Sequence, residues 1–214
     1  MADKKEEKKK GGCLRFFVFI GVLLVGLLGF LTYLSFDPQD LTDIDGYRVE
    51  ASLIPPPGRN LGNVLAEAER GGLPATITER EINHYLIRTL KSEQQGLFAE
   101  WVKLEGVWVR LEDGVAEVII ERSIMDERKH TIAMHLEVEQ EEEQDGQVST
   151  RVNPTGGRFG RTQVVEGYLY LVLSSFEALA GKYDDELGSL KSMFENKARL
   201  EIKEGELVIT PAES

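Results

Sequence analysis

One cysteine, three histidines and two tryptophans in 214 residues close off several kinds of chemistry at once. A lone cysteine, Cys13, allows no disulfide within the chain and no four-cysteine zinc site. His130 and His135 are five residues apart on an expected strand, so they point to opposite faces and cannot hold one ion together. No serine sits in a Gly-x-Ser-x-Gly turn, and nothing else marks a nucleophile. Basic residues are also short, with 25 Lys+Arg against 37 Asp+Glu and a net charge of −12. Such a balance repels polyanions, which excludes nucleic acid as a partner. No catalytic residue, metal ligand or cofactor motif is assigned, and the expectation is a protein that is not an enzyme.

What the chain does have is a long uncharged run. Phe16–Phe36 comprises 21 residues without a charge, 15 of them Leu, Ile, Val or Phe. At about 1.5 Å per residue this helix would span roughly 31 Å, close to the hydrocarbon thickness of a bilayer. A cleaved signal would have a shorter apolar core, about 7 to 15 residues, ending in a small-x-small site. This run ends in Tyr33-Leu34-Ser35-Phe36 and contains no alanine, so it reads as an uncleaved transmembrane helix. Gly21, Gly26 and Gly29 miss the G-x-x-x-G spacing of a helix-dimer motif. Cys13 precedes the run, unlike a lipoprotein cysteine.

Charge divides around that helix. Residues 1–36 hold six basic and three acidic side chains, leaving a net −15 on the remainder. Lysines crowd the N-terminal flank, whereas the first basic residue beyond the helix is Arg48. The positive-inside bias then leaves a basic tail, 1–15, in the cytoplasm and exports the body. The chain is expected to be a single-pass protein of the cell inner (cytoplasmic) membrane, embedded in the lipid bilayer through residues 16–36.

Residues 37–75 read as a juxtamembrane linker. Asp37–Asp45 is acidic, Tyr47–Ile54 is extended, and Pro55-Pro56-Pro57-Gly58 is a stiff spacer. Leu61, Val64, Leu65 and Ala68 then share a short helix closed by Gly71-Gly72. Asp40, Asp43, Asp45 and Gly46 suggest a calcium loop. With Gly46 at its sixth position, however, Leu41 and Ser52 stand where Asp and Glu belong, so the stretch reads as solvated.

The exported domain is expected over 76–211. Thr78-x-x-Glu81 is a capping box with Ile77 and Ile82 as its hydrophobic staple, opening a helix from Glu79 to about Lys91. Alternation through Val107, Val109 and Leu111, a turn at Asp113-Gly114, and a return from Val115 to Glu121 make a hairpin. Ile132, Met134, Leu136 and Val138 mark another strand, turned at Asp145-Gly146 into one over Gln147–Asn153. One wetter sheet face is implied. Glu137–Asp145 reads as a charged hairpin tip that blocks edge pairing. Gly156–Arg161 reads as a sharp connection from sheet to helix, although its amides and Arg158 and Arg161 could cradle an anion. A helix from Gly167 carries Leu169, Val172, Phe176, Leu179 and Tyr183, widened by Leu171 and Leu173, and should be central to the core. A second helix through Leu187–Phe194 and a hairpin across Glu204-Gly205 complete an α+β fold, an antiparallel β-meander with helices on one face.

Thr78-x-x-x-Ile82-Asn83-x-x-Leu86, together with the tail, anchor, meander, Gly-rich turn and closing hairpin, resembles the YpmS-like membrane-anchored bacterial proteins over roughly 76–211. The resemblance implies a bacterial envelope setting and this fold, with no catalytic residues. Two functions fit. The first is a non-enzymatic envelope protein whose exported domain binds or scaffolds a protein partner. The alternative is a carrier of lipid or another apolar ligand, with a groove lined by Leu169, Val172, Leu173 and Phe176 between the sheet and the central helix.

Overall fold

The computed structural model describes residues 11–48, 60–71, 73–90, 102–125, 128–142, 148–165, 170–195 and 198–210. The proline spacer, most of the extended piece before it, the Asp145-Gly146 turn and Leu169 lie outside them. Helix α1 (Gly11–Phe36) carries the uncharged run. Phe16–Phe36 is long and apolar enough to cross a membrane, and none of it is buried against the protein, unlike the core helix of a soluble domain.

The far end of α1 is held by the domain. Leu34 O accepts from Arg161 N at 3.0 Å, Leu31 O accepts from Thr162 Oγ1 at 3.3 Å, and His130 Nε2 donates to Ser35 O at 3.1 Å. Carbonyls at the end of a helix run short of partners within it, and here residues of the sheet and of one of its turns add some. The chain then crosses one face of the main sheet. Leu41 and Ile44 bury there with Trp108, Ile119 and Ala133. Asp37–Arg48 is therefore part of the domain rather than a solvated linker. Two of its aspartates are ion-paired across the fold, Asp43 with Arg110 and Asp45 with Arg80, each at 2.8 Å.

That sheet is an antiparallel meander of β2 (Val102–Glu112), β3 (Val115–Ile124), β4 (Arg128–Glu142), β5 (Val148–Phe159) and β6 (Thr162–Val165), in that spatial order. The expected wetter face is buried, because residues 38–48 cover it. Its polar residues are paired charges, which look solvent-facing in sequence. Glu117 bonds Arg110 Nη1 at 2.6 Å and His135 Nε2 at 3.2 Å, and Glu121 bonds Trp108 Nε1 at 3.2 Å and Lys129 at 3.3 Å. Buried charge is tolerated only with such partners.

Gly156 and Gly157 also differ from expectation, for they lie inside β5. A Cβ on Gly157 would sit 2.1 Å from Ala133 O, beside the point where the β4–β5 register shifts. Glycine serves close approach there, and the break falls at Gly160-Arg161, which turns into β6.

A smaller sheet orders β1 (Ala75–Thr78), β8 (Glu206–Thr210) and β7 (Arg199–Lys203). From β1 the chain enters α3 (Glu79–Thr89) through the capping box: Thr78 Oγ1 accepts from Glu81 N at 3.2 Å, and Glu81 accepts from Thr78 N at 2.9 Å. Asn83, fully buried, locks α3 to β2, donating to Val109 O at 2.9 Å and accepting from Val109 N at 2.8 Å. Helix α2 (Leu61–Gly71) packs Leu61, Leu65 and Ala68 into the core shared with β1, β8 and Met193. Helices α4 (Tyr170–Lys182) and α5 (Asp184–Glu195) complete the cover over the second sheet face.

Candidate functional site: an apolar cavity

The helices and the meander do not close completely. Between them lies a cavity of about 270 Å³. Its floor is the sheet face carrying Val107 and Val109 of β2, Val118 of β3, and Met134 and Leu136 of β4. Period-two alternation puts these five on one side, because their neighbours Trp108, Ile119 and His135 point to the other. One wall is α3, through Ile82, Tyr85 and Leu86, spaced so that all three share a stripe. The roof is α4, through Phe176, Leu179 and Ala180, followed by Tyr183 at the turn into α5, which adds Leu187 and Leu190. Leu61 and Leu65 of α2 and Leu207 of β8 close the far end.

Polar atoms enter this space at one place. The Tyr85 hydroxyl donates to the Glu186 carboxylate, tying α3 to the first turn of α5. Burial, and then the bond to Glu186 and its charge, push the Tyr85 phenol up, so it keeps its proton and stays the donor. Beside it the Tyr183 hydroxyl bonds Thr89 Oγ1 at 3.0 Å, and burial pushes that phenol up as well. The two rings lie 6.3 Å apart, centroid to centroid. Ala180 and Leu187 line the cavity yet are exposed, which sets the mouth where α4 hands over to α5.

Of the groove residues expected from the sequence, Phe176 lines the cavity and is buried. Leu173, one turn earlier on the same stripe, is 39% exposed and falls short of it. Val172 lies within α4, and Leu169 is outside the described residues. Helix α4 roofs the cavity, and Phe176 is its one buried side chain among those described. Sequence reading missed the wall and the mouth. The helix that carries Tyr85 and Leu86 was legible from its capping box, but Glu186 lay in the acidic start of a helix and carried no mark of facing inward.

The opposite sheet face offers a polar cleft bounded by Gln39, Asp40, Asp43, Arg110, Arg158 and Arg161. Its cations are already matched. Arg161 pairs with Asp37 at 3.0 Å, and Arg158 lies 3.6 Å from Glu117. The amides that might have cradled an anion are used too, since Gly160 N donates to Thr131 O and Arg161 N to the end of α1. No family model matches the chain, and the search of curated proteins found no match. Among the described residues no group of three or more His, Cys, Asp or Glu is placed to hold a metal ion. The apolar cavity is thus the site that the geometry singles out.

Proposed function

We propose that this chain is a single-pass membrane protein, N-terminus in the cytoplasm, whose exported domain binds the hydrocarbon chain of an amphiphile. The observation that supports this reading is the cavity, walled by hydrocarbon from both sheets and four helices. Protein interiors pack as densely as organic crystals, and space of this size normally collapses. The space opens at its mouth, so its walls meet water, and apolar surface left in water forgoes about 25 cal/mol per Å². A ligand chain would cover those walls and recover that energy. The volume is close to twice the ~150 Å³ that holds benzene in an engineered apolar cavity, so roughly ten carbon atoms would fill it. A two-chain lipid would not fit whole.

The anchor supports the same reading. Hydrogen bonds between the end of α1 and the strands hold the domain at the bilayer, where amphiphiles concentrate. The envelope setting implied by the YpmS-like layout belongs to the proposal, and so does a role in binding without catalysis. The cavity moves the balance from the scaffold, the first of the two expected functions, to the carrier. Native mass spectrometry of the full chain, released from membranes, tests the claim. Wild type should carry reproducible single-chain adducts that disappear in Ala180→Trp, which plugs the mouth. No adducts, or equal adducts in both proteins, would overturn it.

A further inference from the structure

Arg48, Arg80, Arg110 and Arg161 each meet a carboxylate within 3.0 Å, but Arg122 of β3 meets none. Among the described residues it has no hydrogen bond and no ion pair, although it is half-buried. Burial alone shifts its pKa, downward, as befits a cation drawn from water without a counter-charge. Its cross-strand neighbours are Leu104 on β2 and His130 on β4, neither of them an acid. Arg128, exposed and equally without a partner, stands opposite Ile124 and so diagonally across from Arg122 on the same sheet face. Diagonal neighbours lie about 7–8 Å apart, within reach of long side chains, so both guanidinium groups can close on one anion. A guanidinium has five N–H donors and no acceptor, and a half-buried charge with none of them used calls for an anionic partner.

The two arginines stand where a membrane surface would meet the domain. The uncharged run of α1 ends at Phe36, and His130, opposite Arg122, bonds Ser35 O at 3.1 Å. The end of a spanning run lies at headgroup level. We propose that Arg122 and Arg128 together hold the phosphate of an anionic phospholipid seated beside the end of α1. Phosphate suits the planar fork of a guanidinium, which can donate to two of its oxygens at once. A zwitterionic lipid carries its own ammonium beside the phosphate and offers less net charge to two cations. This site presupposes that α1 crosses a membrane, as proposed above, and it is independent of what fills the cavity.

The test uses the full chain in nanodiscs that hold equal amounts of phosphatidylglycerol and phosphatidylcholine with identical tails. Native mass spectrometry counts the phospholipids that the protein retains on release. Wild type should retain phosphatidylglycerol over phosphatidylcholine, and Arg122→Gln, which removes one interfacial cation, should cut that preference about fivefold. Arg128→Gln, at an exposed position, should weaken it too. Arg151→Gln, an exposed arginine at the other end of β5 from α1, should leave it unchanged. The basic tail attracts the same lipid in every protein, so differences between variants belong to the site. Equal retention of both lipids by wild type, or an unchanged preference in Arg122→Gln and Arg128→Gln, would overturn the site while sparing the anchor. Loss of the preference in excess inorganic phosphate would overturn the lipid as occupant and assign the site to free phosphate. Failure of the chain to enter nanodiscs would overturn the anchor and the site together.

Discussion

At the scale of single residues, the buried polar groups contribute most where a side chain replaces backbone hydrogen bonds. Asn83 satisfies Val109 on both its N–H and its C=O and also donates to Asp45 O at 3.0 Å. Asn83→Ala should cost about 3 kcal/mol, since unsatisfied buried groups cost about 1–3 kcal/mol each. Thr78→Ala removes one cap bond and should cost about 1 kcal/mol. Urea melts of the full chain would rank them, and equal losses would mean that Asn83 does not bridge α3 and β2. Two titrating residues set the pH dependence in the same direction. Burial lowers the His130 pKa below its ordinary 6.5, with Arg122 adding to this and the bond to Ser35 O opposing it. The unfolded chain therefore takes up a proton there first, and stability should decline as pH falls through about 6.5. Burial raises the Glu117 pKa, but His135, Arg158 and Arg110 outweigh it and bring the carboxyl below its ordinary 4.5. A second decline should therefore begin as pH falls through about 4.5. Melting temperature against pH reads both, and His130→Phe should shrink the first, which His84, likewise lowered by burial, shares, and leave the second.

At the scale of elements, the parts readable in the sequence were those whose signal is local. The capping box at Thr78, the Asp113-Gly114 hairpin and the closing hairpin at Gly205 each depend on neighbours a few residues away, and each is in place. The errors arose from distant partners. Residues 38–48 read as solvated because Asp43 and Asp45 find Arg110 and Arg80 far along the chain. The second sheet face read as wet because Arg110, Glu117 and Glu121 are charged, although they are paired and buried. Strand β1 is only four residues long and exists by pairing with β8, near the other end of the chain. As for the candidate site, Phe176 was legible as an apolar face, whereas the volume beneath it depends on how α4 is suspended between distant elements. Gly160 belongs to this class too. Its φ is +58°, and a Cβ there would lie 2.3 Å from Ser35 O. Gly160→Ala should cost about 1–3 kcal/mol for the backbone conformation alone. It should also speed exchange of the Arg161 amide, which bonds to α1; an unchanged exchange rate would mean that the β5–β6 turn does not grip the helix.

At the scale of the whole molecule, the proposal joins one apolar helix, long enough to cross a membrane, to a domain with an apolar cavity. Protease added to the extracytoplasmic side should digest the domain and spare the basic tail, while protection of the domain would reverse the proposed orientation. The central claim is narrower, that a hydrocarbon chain enters the space under α4. The chain has four methionines, and Met134 lines that space while Met193 packs, 4% exposed, in the neighbouring core. Methionine methyl groups can be labelled with carbon-13 in full-chain protein held in deuterated lipid nanodiscs. The most direct measurement is then the nuclear Overhauser effect from protonated 1-decanol to those methyls. The account predicts a cross-peak from the alkyl chain to Met134 and none to Met193. No cross-peak at Met134 under saturating alcohol would contradict it.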